Sequence, residues 1–374
     1  MRMMRLITLI SMLITQISFL VGTDLAFSQE VKLAHLGDLQ VQSGETIHDC
    51  QLGYITFGQL NATKSNAILF PMWALGMTAQ GASLVGPGKL LDSSKYYVIL
   101  VDPLANGISS SPSNSKLQPR MHFPRITIGD MVNAEHELVI KTLRLDHLKA
   151  VIGMSMGGMQ TFQWMVAYPE FMDIAVPIVG SPRLAPYDLL LWHTEIDLIK
   201  SDPKWNNGDY DSNPANLLEA EVGTLTLSTP EHFNAQTTRA QVAPILEAAA
   251  KLGSDANNRI RQLEAMIAMD VSETFGGSMD KAAAHVKAKA FVIVSKRDHT
   301  VTPQPALDFA KLLHAETLVI DSDCGHGAPF CEAGQVSQRV NAFLQVAANG
   351  TNVESQTTPK AAATVIGTGI FELF

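Results

Sequence analysis

The sequence predicts an α/β protein: a doubly wound, mostly parallel sheet broken by one helical insertion. Short, almost wholly apolar runs alternate with stretches of helical period, the pattern of strands covered on both faces by crossover helices. Residues 181–288 carry helical patterns and turn clusters but no convincing strand. A serine also stands between two glycines where one apolar run gives way to a helical one.

Taken in order, the chain begins with a targeting pattern. Arg2 and Arg5 precede an apolar stretch from Leu6 to Gly22, and Ala26-Phe27-Ser28 offers small residues for cleavage before Gln29. Residues 1–28 therefore read as a secretory signal peptide. The alternative is an uncleaved anchor, but Thr8, Ser11, Thr15, Gln16 and Ser18 dilute the run below a comfortable membrane span. No stable membrane insertion is expected after cleavage, and the protein is expected to be exported, periplasmic or secreted. Export leaves Cys324 and Cys331 either paired or as two thiols in an oxidising compartment. It also removes the protein from acyl-coenzyme A, a cytosolic metabolite.

The core then runs in two parts, residues 29–180 and 289–346. Its strands are Asn66–Phe70, Tyr97–Val101, Lys149–Ile152, Ala175–Val179, Phe291–Ser295 and Thr317–Ile320. Met131–Leu143 and Ala306–Leu313 are two of the helical stretches between them. The insertion at 181–288 falls where a lid would cover a site. From 347 to 374 the chain turns rich in Thr, Ala and Gly and is expected to be a flexible tail.

Composition excludes several classes. With 374 residues, 46% hydrophobic and 17% charged, the chain is neither disordered nor coiled coil and has ample apolar material for a core. A net charge of −9 without a basic stripe argues against nucleic acid. Three cysteines (Cys50, Cys324, Cys331) and no CxxC pair give neither a disulfide scaffold nor a zinc motif. No metal and no cofactor are expected. Gly86-Pro87-Gly88-Lys89 imitates a phosphate loop, but Ser83 and Leu90 occupy positions where that motif needs Gly and Ser or Thr.

The chemistry is concentrated around Gly153-Met154-Ser155-Met156-Gly157. A strand leads into this G-x-S-x-G and a helical pattern follows to Tyr168, where Pro169 stops it. Such a turn strains the serine backbone, lifts its hydroxyl above the sheet and aims a helix N-terminus at the reacting centre. A serine hydroxyl needs a base to take its proton, and the base needs a partner that fixes its tautomer. In the α/β-hydrolase fold these follow the serine in the order acid, then histidine. Asp298 lies just past the run Phe291–Ser295, and His326 follows Thr317–Ile320, so both fall at the sheet edge that carries Ser155. Asp321 or Asp323 would be the acid if Asp298 only capped a helix. His299 precedes the last strand and His314 sits in a helical pattern, so neither suits the base. For the oxyanion hole, one donor is the N–H of Met156 and the other comes from the loop Pro71–Gly76, where Trp73 and Ala74 are the candidates. Trp73, Met72, Met77, Met154 and Met159 either line an acyl pocket or fill core.

At these residues the sequence resembles the homoserine O-acetyltransferase family of the α/β-hydrolase superfamily. The resemblance lies in Leu84-Val85-Gly86-Pro87-Gly88-Lys89, Ile126–Val132, Ser155–Gln160 and Asp202-Pro203-Lys204-Trp205 with Gly208 and Tyr210, and covers roughly residues 45–345. It implies a Ser155–His326–Asp298 triad, an oxyanion hole at Met156 and Ala74, a helical lid, and assembly as a homodimer. The acetyltransferases of this family look like His-Ala-Leu-Thr-Gly where this chain has Met72-Trp73-Ala74-Leu75-Gly76. They carry Asp after the catalytic histidine, where this chain has Gly327. The segment Asn106–Asn114 is similar to the family's hydrolase-like branch. The expectation is an exported serine esterase acting on a small-molecule ester. The alternatives are O-acetyl transfer from acetyl-coenzyme A to an amino-acid alcohol, and a non-catalytic binding module on the same fold.

Overall fold

The computed structural model describes residues 30–214, 217–252 and 254–349. The signal expected at 1–28 and residues 350–374 of the expected tail lie outside the described residues. Among the described residues, eight strands form one sheet: β1 (Lys32–Gln40), β2 (Thr46–Phe57), β3 (Ala67–Pro71), β4 (Tyr97–Val101), β5 (Leu148–Met154), β6 (Met172–Ile178), β7 (Lys289–Ser295) and β8 (Glu316–Ile320). Their spatial order is β1-β2-β4-β3-β5-β6-β7-β8. The pairs from β4 onward are parallel, whereas β1–β2 and β2–β4 are antiparallel.

Alternate residues of the inner strands feed two cores. Leu69, Ile99 and Val151 face one, and Ile68, Phe70 and Ile152 the other. Helix α1 (Ile128–Glu137) and helix α2 (Met156–Ala167) cover the first face, with Phe162 and Trp164 fully buried. Each such side chain contributes roughly 1.5–3 kcal/mol through burial. The second face is covered by the C-terminal helix through Val336, Val340 and Leu344.

β1 and β2 are additions to the sequence reading. They escape a search for apolar runs because β1 is exposed along most of its length, polar residues interrupt β2 with His48 and Asp49 exposed, and β1 shifts register between His35 and Gly37 and again before Leu39. The expected helix Met131–Leu143 is also shorter. It starts at Ile128, where Thr127 and Asp130 form a reciprocal cap (Asp130 N to Thr127 Oγ1 3.1 Å, Thr127 N to Asp130 Oδ2 2.8 Å), and after Glu137 it widens into a π-helical turn.

Between β6 and β7 come α3 (Pro186–Ser201), α4 (Leu217–Leu227), α5 (Pro230–Gln236), α6 (Val242–Leu252), α7 (Ala256–Ile267) and α8 (Met279–His285), with an isolated antiparallel bridge from Arg183 to Asp270. Arg259 of α7 donates to Glu195 of α3 (2.6 Å) and Glu219 of α4 (2.7 Å), tying three helices through one partly buried guanidinium. Removing the arginine alone would strand two carboxylates at a cost of about 3–5 kcal/mol. After β7 come α9 (Gln304–Leu312) and, after β8, α10 (Ala333–Asn349). Helix α10 continues through Ala347, Ala348 and Asn349, the first residues of the expected tail, and alanine is the strongest helix former. Cys50 is a buried free cysteine, and burial pushes its thiol up to about 12.

One buried acid makes stability depend on pH. Glu135 of α1 accepts from Trp164 Nε1 at 2.7 Å, and full burial raises its pKa from the ordinary 4.5 to about 8. The folded state holds this proton more tightly than the unfolded chain. Its contribution is therefore largest below the unfolded value and is lost as pH rises between about 4.5 and 8. Glu135→Gln is expected to flatten that decline, gaining on wild type by a few kcal/mol at pH 8 relative to pH 5. Parallel thermal melts at the two pH values check it; equal slopes would contradict it.

Candidate active site

The chain leaves β5 at Met154 and enters α2 at Met156, so Ser155 alone makes the turn, with φ 56° and ψ −122°. Its neighbours admit no side chain. A Cβ on Gly153 would lie 2.2 Å from Gly157 O, and one on Gly157 would lie 2.2 Å from Pro71 O. The first-turn N–H groups of α2, Met156 N–H among them, have no partner inside the helix.

His326 lies in a short helical turn after β8, and Asp298 in the turn after β7. His326 Nε2 is 2.9 Å from Ser155 Oγ, and His326 Nδ1 is 2.7 Å from Asp298 Oδ2. Asp298 Oδ1 accepts from Thr300 N (2.8 Å) and Val301 N (2.9 Å), which fixes the carboxylate so that Oδ2 faces the imidazole. A carboxylate only accepts, so Nδ1 carries the ring proton and Nε2 is left to accept from the serine. Asp298 and His326 are buried, and Ser155 remains half-open. The structure thus joins three residues far apart in sequence into one hydrogen-bonded chain. The other acids are occupied elsewhere: Asp321 pairs with Lys296 and Arg297, and Asp323 faces His232.

The loop after β3 is committed residue by residue. Met72 N donates to Val101 O, Gly76 N to Trp73 O, and Leu75 N to Gln262 Oε1 at 2.7 Å. Those three groups are therefore used, and Ala74 sits between Trp73 and Leu75 in this loop. Gln160 of α2 donates to Met72 O at 3.2 Å, binding this loop to the helix that follows the serine. Met72, Met154 and Met159 are buried in the two cores and fill space there, whereas Met77 is exposed. Trp73 packs edge-on against Phe330, centroids 5.9 Å apart. Lys89 of the phosphate-loop look-alike donates to Ser83 O at 2.9 Å.

Three supporting residues could not be read from the sequence. Gln262, fully buried on α7, accepts from Leu75 N and donates to Leu104 O (2.9 Å), so a helix of the insertion holds the loop that follows β3. Helix α7 is itself fixed by the segment after α3: Trp205 Nε1 donates to Asn257 Oδ1 (2.9 Å), and Tyr210 OH to Asp255 Oδ2 (2.8 Å). Asp102 accepts from Thr78 N (2.8 Å), Thr78 Oγ1 (3.0 Å) and Asn106 Nδ2 (3.1 Å), closing the other end of the same loop. Asp188, at the start of α3, accepts from Thr302 N and Thr302 Oγ1, bracing the turn that carries Asp298. Burial, with the Asp298 charge adding to it, pushes the Asp188 carboxyl above the usual range against the pull of those hydrogen bonds.

Cys324 and Cys331 are joined by a disulfide that brackets His326. The loop it closes is short, with a sequence separation of 7, so chain entropy gives it about 2 kcal/mol of global stability. Its local effect is to hold the turn that presents the imidazole. Reduction is expected to lower ester turnover by a larger factor than it lowers the melting temperature in relative terms. Turnover and melting curves measured on one oxidised and one reduced sample test this, and unchanged turnover after complete reduction would refute it.

The strand–serine–helix turn and the acid–histidine–serine chain at the sheet edge define an α/β hydrolase. Residues 85–333 match the alpha/beta hydrolase fold family. The chain is 32% identical over 329 residues to an ethyl acetate hydrolase of Pseudomonas veronii, covering 84% of this chain and 94% of that one. It is 30% identical over 361 residues to a homoserine O-acetyltransferase of Methanosalsum zhilinae, covering 84% of this chain and 73% of that one. Among solved structures, an acetylester hydrolase from Corynebacterium glutamicum superposes with a TM-score of 0.80 at 28% identity, covering 84% of this chain and 96% of that one. The chain belongs to the alpha/beta hydrolase family. It is an enzyme of the acyl-transfer and ester-hydrolysis kind, in the branch that holds both ester hydrolases and homoserine O-acetyltransferases.

Proposed function

We propose that the protein is an exported serine esterase that hydrolyses small esters, with water as the acceptor. The observation that carries this reading is the hydrogen-bonded chain Ser155–His326–Asp298 at the half-open turn. Ser155 Oγ attacks the ester carbonyl while His326 Nε2 takes its proton, and Asp298 stabilises the imidazolium. The N–H groups of Met156 and Ala74 receive the oxyanion. His326 then gives its proton to the leaving alcohol, leaving an acyl group on Ser155. A water deprotonated by His326 attacks that acyl group, and the acid departs as Ser155 regains its proton. Export is supported by the pattern at residues 1–28, and a homodimer by the family resemblance.

Two features favour water over an amino-acid acceptor. An ammonium group entering the site needs a carboxylate beside it, and Gly327 stands where the acetyltransferases carry Asp. The nearby Asp323 is turned toward His232. Acetyl transfer to homoserine is the second reading, favoured by the relatives that bear that name. The test is kcat/KM for short-chain p-nitrophenyl ester hydrolysis against kcat/KM for homoserine acetylation by acetyl-coenzyme A, on one preparation. Hydrolysis is expected to dominate, and a larger value for acetylation would overturn the proposal. A Cβ on Gly327 meets nothing within 4 Å, and its backbone is helical at φ −73°, so Gly327→Asp fits without strain. That variant is expected to raise transfer relative to hydrolysis while keeping the melting temperature; an unchanged ratio would remove Gly327 from the argument.

A further inference from the structure

At the histidine loop three soft or borderline ligand atoms converge. His232 of α5, Cys324 and Cys331 place their ligand atoms within 4.8 Å of one another. His232 Nδ1 and Nε2 lie 3.5 Å and 3.8 Å from Cys324 Sγ. In a tetrahedral zinc site, Zn–S near 2.3 Å and Zn–N near 2.05 Å put sulfur and nitrogen about 3.6 Å apart, and two sulfurs about 3.8 Å apart. The imidazole already stands at the first of these spacings. Only the sulfur–sulfur bond prevents the second.

We propose that reduction of the Cys324–Cys331 bond turns this corner into a binding site for a thiophilic divalent cation, held by Cys324 Sγ, Cys331 Sγ and His232. The ligand type, two thiolates and an imidazole, suits Zn²⁺ or Cd²⁺ and disfavours Mg²⁺ or Ca²⁺. Asp323 completes the arrangement. Its Oδ1 lies 3.2 Å from His232 Nδ1, the carboxylate–histidine pairing that leaves Nε2 to face a metal. The fourth position goes to water.

The location gives the site a consequence. Thr229, three residues before His232, donates to Asp323 O through its hydroxyl (2.7 Å) and its N–H (3.2 Å), so this part of the insertion rests directly on the histidine loop. A cation on His232, Cys324 and Cys331 would fasten α5 to the turn presenting His326. The oxidised pair fastens that turn only to itself. Cys331 is exposed, so a reductant reaches the bond from solvent. With a phosphine as reductant, the phosphorus supplies two electrons to the sulfur–sulfur bond. One water gives its oxygen to the phosphine oxide and its two protons to the sulfurs. Cation binding then releases both thiol protons.

The experiment uses the full chain, reduced with a phosphine, freed of it without oxygen, and titrated with Cd²⁺ while the thiolate-to-metal absorption band is followed. The expected result is one Cd²⁺ per chain for the reduced protein and no band for the oxidised protein. His232→Ala is expected to weaken binding by about tenfold or more, and Cys331→Ser to weaken it at least as much. Both residues lie outside the triad, and far-ultraviolet circular dichroism verifies that the variants fold. A rise in melting temperature with Cd²⁺ in reduced wild type but not in the variants gives a second readout. Absence of the band after reduction, or unchanged affinity in His232→Ala, would overturn the proposal. Because the readout is binding, failure here would leave the esterase reading intact, and loss of the esterase reading would leave this site standing.

Discussion

Ser155→Ala is expected to lower kcat/KM for ester hydrolysis by about 10³-fold or more while leaving the melting temperature nearly unchanged. The reason is local. Ser155 Oγ bonds to His326 Nε2, so its removal forfeits one hydrogen bond, worth about 1 kcal/mol. The positive φ of 56° is equally demanding for alanine, and the flanking glycines that allow the turn are untouched. The residual rate should be that of oxyanion stabilisation and binding alone. Activity within tenfold of wild type would mean that another group attacks the ester.

Asp298→Asn is expected to cost about 10³–10⁴-fold in kcat/KM. Thr300 N and Val301 N both donate to one carboxylate oxygen, so the amide of asparagine would turn its oxygen toward them. Its NH₂ would then face His326 Nδ1, now 2.7 Å from Asp298 Oδ2. A donor there selects the imidazole tautomer protonated on Nε2, which can no longer accept from Ser155. The substitution is nearly isosteric, so folding should survive. The check is kcat/KM together with the rate of labelling by a fluorophosphonate, both of which should fall together. A loss below tenfold would return the acid's role to another group.

The parts of this molecule legible in the sequence are those governed by local rules. Strands β3 to β7 read as apolar runs because both of their faces are buried, and β8 reads as one through Leu318, Val319 and Ile320 although its outer residues are exposed. Ser155 and its glycines read as a motif because the turn leaves no room for a side chain at Gly153 or Gly157. Asp298 and His326 followed from chain order along the sheet. β1 and β2 were hidden because their half-exposed, bulged backbones carry no continuous apolar signal. The supporting residues were hidden for another reason: their roles are long-range. Gln262 meets Leu75 across 187 positions, and Asp188 meets Thr302 across 114. Nothing in the neighbourhood of a glutamine on an amphipathic helix distinguishes one that holds a catalytic loop from one that faces solvent. The pairing of Cys324 with Cys331 stood open in the sequence, since spacing alone does not fix the directions of the two side chains.

The claim at the centre of this account is that Ser155 is a nucleophile activated by His326 and Asp298. It is tested most directly by treating the protein with a fluorophosphonate and mapping the adduct by peptide mass spectrometry. The account predicts one adduct per chain, on Ser155, appearing in step with the loss of ester turnover and absent from Ser155→Ala. Complete loss of turnover with the adduct on a different serine, or full turnover after Ser155 is modified, would contradict it.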